Sequence, residues 1–144
     1  MGIVNHLGHC VTDLERSRRF YEEVLGLEWW RDFDADDALT SDLLSLPAPV
    51  GLKAVYLRQD GFVLELIGYT DAPVNPPQKR VMNDPGLTHI SVSVDDIKAT
   101  AEKAVEYGGS IVEGSDIDLA MMIRDPDGQL IELLTMGYRD NLPD

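Results

Sequence analysis

The chain has a single cysteine, Cys10, among its 144 residues. No internal disulfide can form, and the expected compartment is the cytoplasm, where thiols stay reduced. No apolar run approaches the roughly 20 residues of a membrane span. The opening Met-Gly-Ile-Val-Asn-His has no basic segment followed by an apolar one, so no signal peptide is expected. Cations are scarce: 12 Lys and Arg against 26 Asp and Glu leave a net charge of −14. Such a surface repels phosphate backbones and anionic lipid, which argues against nucleic acid and membrane as partners but does not define the small-molecule substrate expected. What is present is ordinary for a globular chain, with 44% hydrophobic residues and a length that suits one compact domain.

The strongest organisational signal is an internal repeat. HLGHCVTDLERSRRFYEEVLG at 6–26 aligns with HISVSVDDIKATAEKAVEYGG at 89–109, so that His6 meets His89, Val11 meets Val94, Asp13 meets Asp96 and Gly26 meets Gly109. Each copy opens as a short strand and reaches an Asp able to cap a helix. Each helix then ends at a Gly suited to the left-handed position after it, Gly26 and Gly109. Ile97, Ala101, Ala104 and Val105 share one face of the second helix, and Leu14, Tyr21, Val24 and Leu25 one face of the first. The repeat continues in AVYLRQDGFVLELI (54–67) and AMMIRDPDGQLIELL (120–134), each two strands joined through Asp-Gly. Further strands are expected at Glu28 to Phe33 and Ser110 to Glu113. The fold class is therefore α+β, two βαβββ modules: module 1 at about 1–69, a Pro-rich linker at about 70–87, and module 2 at about 88–138.

The copies differ in spacing. His6 and Glu65 are 59 positions apart, His89 and Glu132 only 43, and the excess lies around 32–51. The Asp32, Asp34, Asp36 spacing there suggests a calcium loop, but an EF-hand needs Gly and Glu where this chain has Asp37 and Leu43. A solvated acidic loop is the expectation.

Alternation along the strands separates two faces. Leu7, His9 and Val11 form the bulky face that packs on a helix, which leaves His6, Gly8 and Cys10 opposite. In the second copy Ile90, Val92 and Val94 pack, and His89, Ser91 and Ser93 lie opposite. Glu65 stands between Val63 and Ile67, and Glu132 between Leu130 and Leu134, where an unpaired carboxylate is costly. Taken singly, a strand His or Glu is more often structural than a ligand. Two of each at equivalent repeat positions point instead to one divalent metal, and imidazole with carboxylate suits Zn, Ni, Co, Mn or Fe. His9 has no counterpart, since Val92 stands in its place, and is assigned to structure; Cys10 is assigned as a small pocket filler. Trp29, Trp30, Tyr56, Met121 and Met122 are assigned mainly to packing.

HLGHCVTDLERSRRFYEEVLGL resembles the opening of the vicinal-oxygen-chelate superfamily, and GLTHISVSVDDI and RDPDGQLIELL resemble its second-module signatures. The superfamily includes glyoxalase I, methylmalonyl-CoA epimerase, extradiol dioxygenases and antibiotic-resistance proteins such as bleomycin resistance protein. The resemblance implies a curled mixed sheet around a metal cleft, with ligands His6, Glu65, His89 and Glu132. It also implies a homodimer, with sites built within one chain or across two. Bacterial glyoxalase I often carries Asn four residues after the first Glu to hold glutathione; here Tyr69 stands there. The activity implied is a glyoxalase-type lyase, isomerase or epimerase that moves a proton through a metal-stabilised enediolate, with Glu132 as first choice of general base and Glu65 as second. No residues are assigned to an organic cofactor. The alternatives are an extradiol-type dioxygenase holding Fe(II) through His6, His89 and Glu132, and a non-catalytic drug-binding protein.

Overall fold

The computed structural model describes residues 1–78 and 80–142. The chain divides into two compact units: one of Met1–Glu22 and Gly26–Pro76, the other of Pro77–Asp144 together with Glu23–Leu25. Each unit carries a four-stranded mixed sheet, and the two sheets repeat one topology. The expected α+β fold of βαβββ modules is what the chain adopts.

In the first unit the elements are β1 (Leu7–Cys10), α1 (Leu14–Leu25), β2 (Glu28–Asp34), α2 (Asp37–Leu44), β3 (Leu52–Gln59) and β4 (Phe62–Tyr69). The strand order is β1-β4-β3-β2. β1 runs parallel to β4, and the other pairs are antiparallel. Asp60 and Gly61 both take positive φ (46° and 79°), as a two-residue type I′ hairpin requires. That turn pairs Gln59 with Phe62 and therefore, strand by strand, Tyr56 with Glu65. Leu57, Leu64 and Leu66 are fully buried, and each contributes about 1.5–3 kcal/mol by leaving water. Asp13 caps α1 by accepting from the Arg16 amide, and Gly26 (φ 72°) closes it.

The second unit holds β5 (His89–Val94), α3 (Ile97–Glu106), β6 (Ser110–Ile111), β7 (Ala120–Arg124), β8 (Leu130–Thr135) and a terminal 3₁₀ helix (Met136–Asn141), with strand order β5-β8-β7-β6. Ile131 and Leu133 are fully buried, and α3 lies against β6, β7 and β8. The β7–β8 loop is held by Asp125, whose Oδ1 accepts from the Asp127 and Gln129 amides at 2.9 and 2.8 Å.

Four sequence expectations need correction. Val105 is exposed, because α3 buries only Ile97, Ala101 and Ala104 and turns its last residues outward. Gly108 (φ 89°), one residue before Gly109, takes the left-handed conformation, and the Gly109 amide then bonds back to the Ala104 carbonyl at 2.8 Å. The strand β6 is only two residues long, against the four expected over Ser110 to Glu113. The 32–51 stretch is acidic and largely exposed, as expected, but it is not a loop: it carries the end of β2 and the helix α2. Asp36 caps α2 through the Leu39 amide, and Asp37 Oδ1 accepts from the Val50 and Gly51 amides at 2.7 and 2.9 Å.

Where α1 begins, Leu14 presses onto β4: a Cβ at Gly68 would lie 2.7 Å from Leu14 Cγ. Gly68→Ala should therefore destabilise the protein by about 1–3 kcal/mol, read by urea unfolding, as overpacking of a well-filled contact does.

Candidate functional site

The geometry of the first unit brings His6 and Glu65 together. β1 pairs in parallel with β4 so that Gly8 faces Glu65, and His6 directly precedes β1 on the same side. A Cβ at Gly8 would lie 3.6 Å from Glu65 Oε2, so the absent side chain leaves room in front of the carboxylate. His6 Nε2 stands 3.0 Å from Glu65 Oε2. On its other edge, His6 Nδ1 lies 2.7 Å from Asn5 Oδ1, which can only accept. Which ring nitrogen carries the proton sets whether Nε2 donates to Glu65 or offers it a lone pair. In the second case a cation between the two atoms, 3.0 Å apart, would satisfy both.

Glu65 has a second partner that the sequence reading missed. The Tyr56 hydroxyl donates to Glu65 Oε1 at 2.6 Å, and the Tyr56 ring meets His6 edge-on with centroids 5.5 Å apart. Burial and the neighbouring Glu65 carboxylate push the Tyr56 phenol up to about 12, with the Arg31 guanidinium pulling part of the way back. Burial also raises the Tyr69 phenol, with Cys10 and Glu65 adding to the effect. The Asp60-Gly61 turn sets Tyr56 opposite Glu65. His9 points to the helix side, its ring edge-on to Tyr21 at 6.0 Å.

The second unit repeats the pair with different support. His89 Nε2 lies 3.6 Å from Glu132 Oε2, and Thr88 Oγ1 lies 2.8 Å from His89 Nδ1. Ser91, cross-strand from Glu132, donates its hydroxyl to Glu132 Oε2 at 2.8 Å. Met122 occupies the place that Tyr56 holds in the first unit, facing Glu132 across β7 and β8. Glu132 Oε1 consequently has no hydrogen-bond partner among the described residues.

The donor set fits a divalent cation. With metal–ligand bonds of about 2.1 Å, two ligand atoms stand about 3.0 Å apart at a right angle and about 3.4 Å apart at a tetrahedral angle. The observed separations of 3.0 and 3.6 Å are of that size. Among the described residues no cluster of three or more His, Cys, Asp or Glu side chains stands ready to hold a metal, so the expected ligands are found as two pairs. Among those residues, too, no helix is long and apolar enough to cross a membrane.

Tyr56 gives a pH-dependent signature. Its folded-state pKa of about 12 lies above the ordinary value of 10.0. The stability it contributes is complete below the ordinary value and fades as the pH climbs toward the raised one. Spectrophotometric titration of metal-free protein should show late-ionising phenols, Tyr56 and Tyr69, of which Tyr56→Phe removes one, and that variant should lose less stability over the alkaline range.

The profile of the Glyoxalase/Bleomycin resistance protein/Dioxygenase superfamily matches residues 3–133. A lactoylglutathione lyase of Pseudomonas putida is 30% identical over 146 residues, covering 92% of this chain and 84% of its own. A probable lactoylglutathione lyase of Vibrio parahaemolyticus is 28% identical, covering 92% and 90%. The solved structure of the trypanothione-dependent glyoxalase I of Leishmania major superposes with a TM-score of 0.68 at 25% identity, covering 94% of this chain and 88% of that one. Repeated topology, repeated His–Glu pairs and a profile match over nearly the whole length agree, and the chain belongs to the glyoxalase/bleomycin resistance protein/dioxygenase superfamily.

Proposed function

We propose that the protein is a metal-dependent glyoxalase-type lyase or isomerase acting on a small substrate with adjacent oxygens, with His6, Glu65, His89 and Glu132 as ligands of one divalent ion. The observation that carries this reading is the recurrence of one His–Glu pair at equivalent strand positions, at 3.0 Å in one unit and 3.6 Å in the other. Such an ion, when bound, supplies Lewis acidity that stabilises negative charge on the substrate oxygens. The homodimer implied by the resemblance belongs to the same proposal, since the family completes its sites within one chain or across two.

The chain's own residues divide the remaining work. Glu65 has both oxygens engaged, Oε1 by Tyr56 and Oε2 by His6, and its side chain is only 13% exposed. It is suited to holding still. Glu132 is 31% exposed and keeps Oε1 unengaged, so it is the carboxylate able to take a proton from a substrate carbon and return it to the neighbouring one. Ser91, bonded to Oε2, limits how far Glu132 swings. The relatives' names support lactoylglutathione as a candidate substrate. Tyr69, where bacterial glyoxalase I often carries Asn, argues for a thiol portion held differently, or for none.

Protein prepared without chelator should carry about one divalent transition metal per chain. His6→Ala and His89→Ala should each lower metal affinity by more than about tenfold, while His9→Ala leaves it unchanged. Equal losses in all three would mean that the strand faces are misassigned. Turnover of α-hydroxycarbonyl compounds and glutathione hemithioacetals in deuterated water should place solvent deuterium on carbon without consuming oxygen. Glu132→Gln should slow that exchange by about 10²–10⁴-fold. Catechol-dependent oxygen uptake, with Fe(II) still held by Glu65→Ala, would overturn this reading in favour of ring cleavage; uptake of a drug with neither reaction would favour a binder.

A further inference from the structure

Beside the His6–Glu65 pair, β2 departs from regular pairing. Trp29 faces Leu57 and Arg31 faces Tyr56, so Trp30 is an extra residue between two consecutive partners on β3. Regular alternation would send Trp30 and Arg31 to opposite faces; a bulge re-aims them. Both now lie on Tyr56. Trp30 meets the phenol ring edge-on at 6.0 Å, and the Arg31 guanidinium carbon sits 4.6 Å from the centre of Tyr56 and 4.7 Å from that of Trp30. Two aromatic rings thus hold a planar cation by cation–π attraction. Although the chain has 26 acidic residues, no carboxylate among the described residues pairs with Arg31.

The register fixes where this cation lies. Arg31, Tyr56, Glu65 and Gly8 are successive cross-strand partners on β2, β3, β4 and β1, and therefore form one row on one sheet face. With strands about 4.8 Å apart, Arg31 stands two strands, or about 10 Å of backbone, from Glu65. An Arg fork that no carboxylate of the described residues meets can match a carboxylate in two parallel hydrogen bonds.

We propose that Arg31 is the anion anchor of the site: the substrate carries a carboxylate at the end remote from its paired oxygens, and the chain between them lies over Tyr56 and Trp30. This rests on the metal-site reading above. It narrows the substrate class to carboxylated compounds and gives a strongly acidic protein a local reason to accept an anion.

The test compares two hydroxamates on zinc-loaded protein by calorimetry, after zinc uptake has been measured on its own. Glutaric acid monohydroxamate and pentanohydroxamate share a chelating end with two adjacent oxygens and differ only in carboxylate against methyl. The carboxylated probe should bind roughly tenfold tighter or better, as expected for a charge-assisted pair. Arg31→Met should abolish that preference and leave the affinity for pentanohydroxamate unchanged, which also shows that the variant is folded. Arg31→Lys should keep part of the preference. Should Arg31→Met bind neither probe, Arg31→Gln decides by the same comparison. Equal affinities in the wild type, or a preference that survives loss of the guanidinium, would overturn the anchor alone. Failure of the wild type to take up zinc or any other divalent metal would overturn the metal reading and the anchor with it.

Discussion

The charge of Glu65, set on a half-apolar sheet face between Val63 and Ile67, is the constraint around which the polar groups of the first unit are arranged. A carboxylate there is stable only when donors or cations meet both oxygens. Tyr56 meets one and His6 the other. The needs of that one group then reach outward: His6 is oriented by Asn5, Tyr56 is flanked by Arg31 and Trp30, and position 8 is a glycine that leaves the space before the carboxylate open. Each is a side chain whose position follows from the sheet register, and the register follows from a two-residue turn at Asp60-Gly61.

The two units show how a duplicated frame acquires unequal parts. Strand order, helix caps and the His–Glu pairing recur. The support of the carboxylate does not: a phenol from the neighbouring antiparallel strand serves Glu65, and a hydroxyl from the parallel strand serves Glu132. Gly8 stands where the second unit has Ser91, and Met122 where the first has Tyr56, so each unit has a donor at the position the other leaves without one. Identical folds can in this way present one carboxylate fully engaged and one with an oxygen to spare.

Much of this was legible in the sequence because repetition turns weak signals into a strong one. A strand histidine says little by itself; His6 and His89 at matched positions, followed by matched glutamates, say a good deal. The hairpins and the strand faces were equally readable from Asp-Gly and alternation. Tyr56 was within reach too, since the turn at Asp60-Gly61 dictates its pairing with Glu65, but an aromatic residue in an apolar run reads first as packing. α2 was hidden by composition: Asp is a poor helix former, and only its use as a cap and as an acceptor for Val50 and Gly51 accounts for an acidic helix there. The bulge at Trp30 leaves no mark in the sequence, because no glycine and no break in hydrophobic pattern announces it. Gly108 and Gly109 differ by one position, within the usual uncertainty of helix ends.

The bond from Asp37 to the amides of Val50 and Gly51 has a consequence for how such a chain can change. It fastens the beginning of the insertion to its end, immediately before β3 enters the sheet. Whatever lies between is a closed excursion, and the sheet experiences only its two tied ends. Lengthening or exchanging the enclosed stretch costs little loop entropy and leaves the Tyr56–Glu65 register undisturbed. The segment is thus a replaceable cassette on a fixed frame, through which one ancestral scaffold can diversify without refolding its sheet.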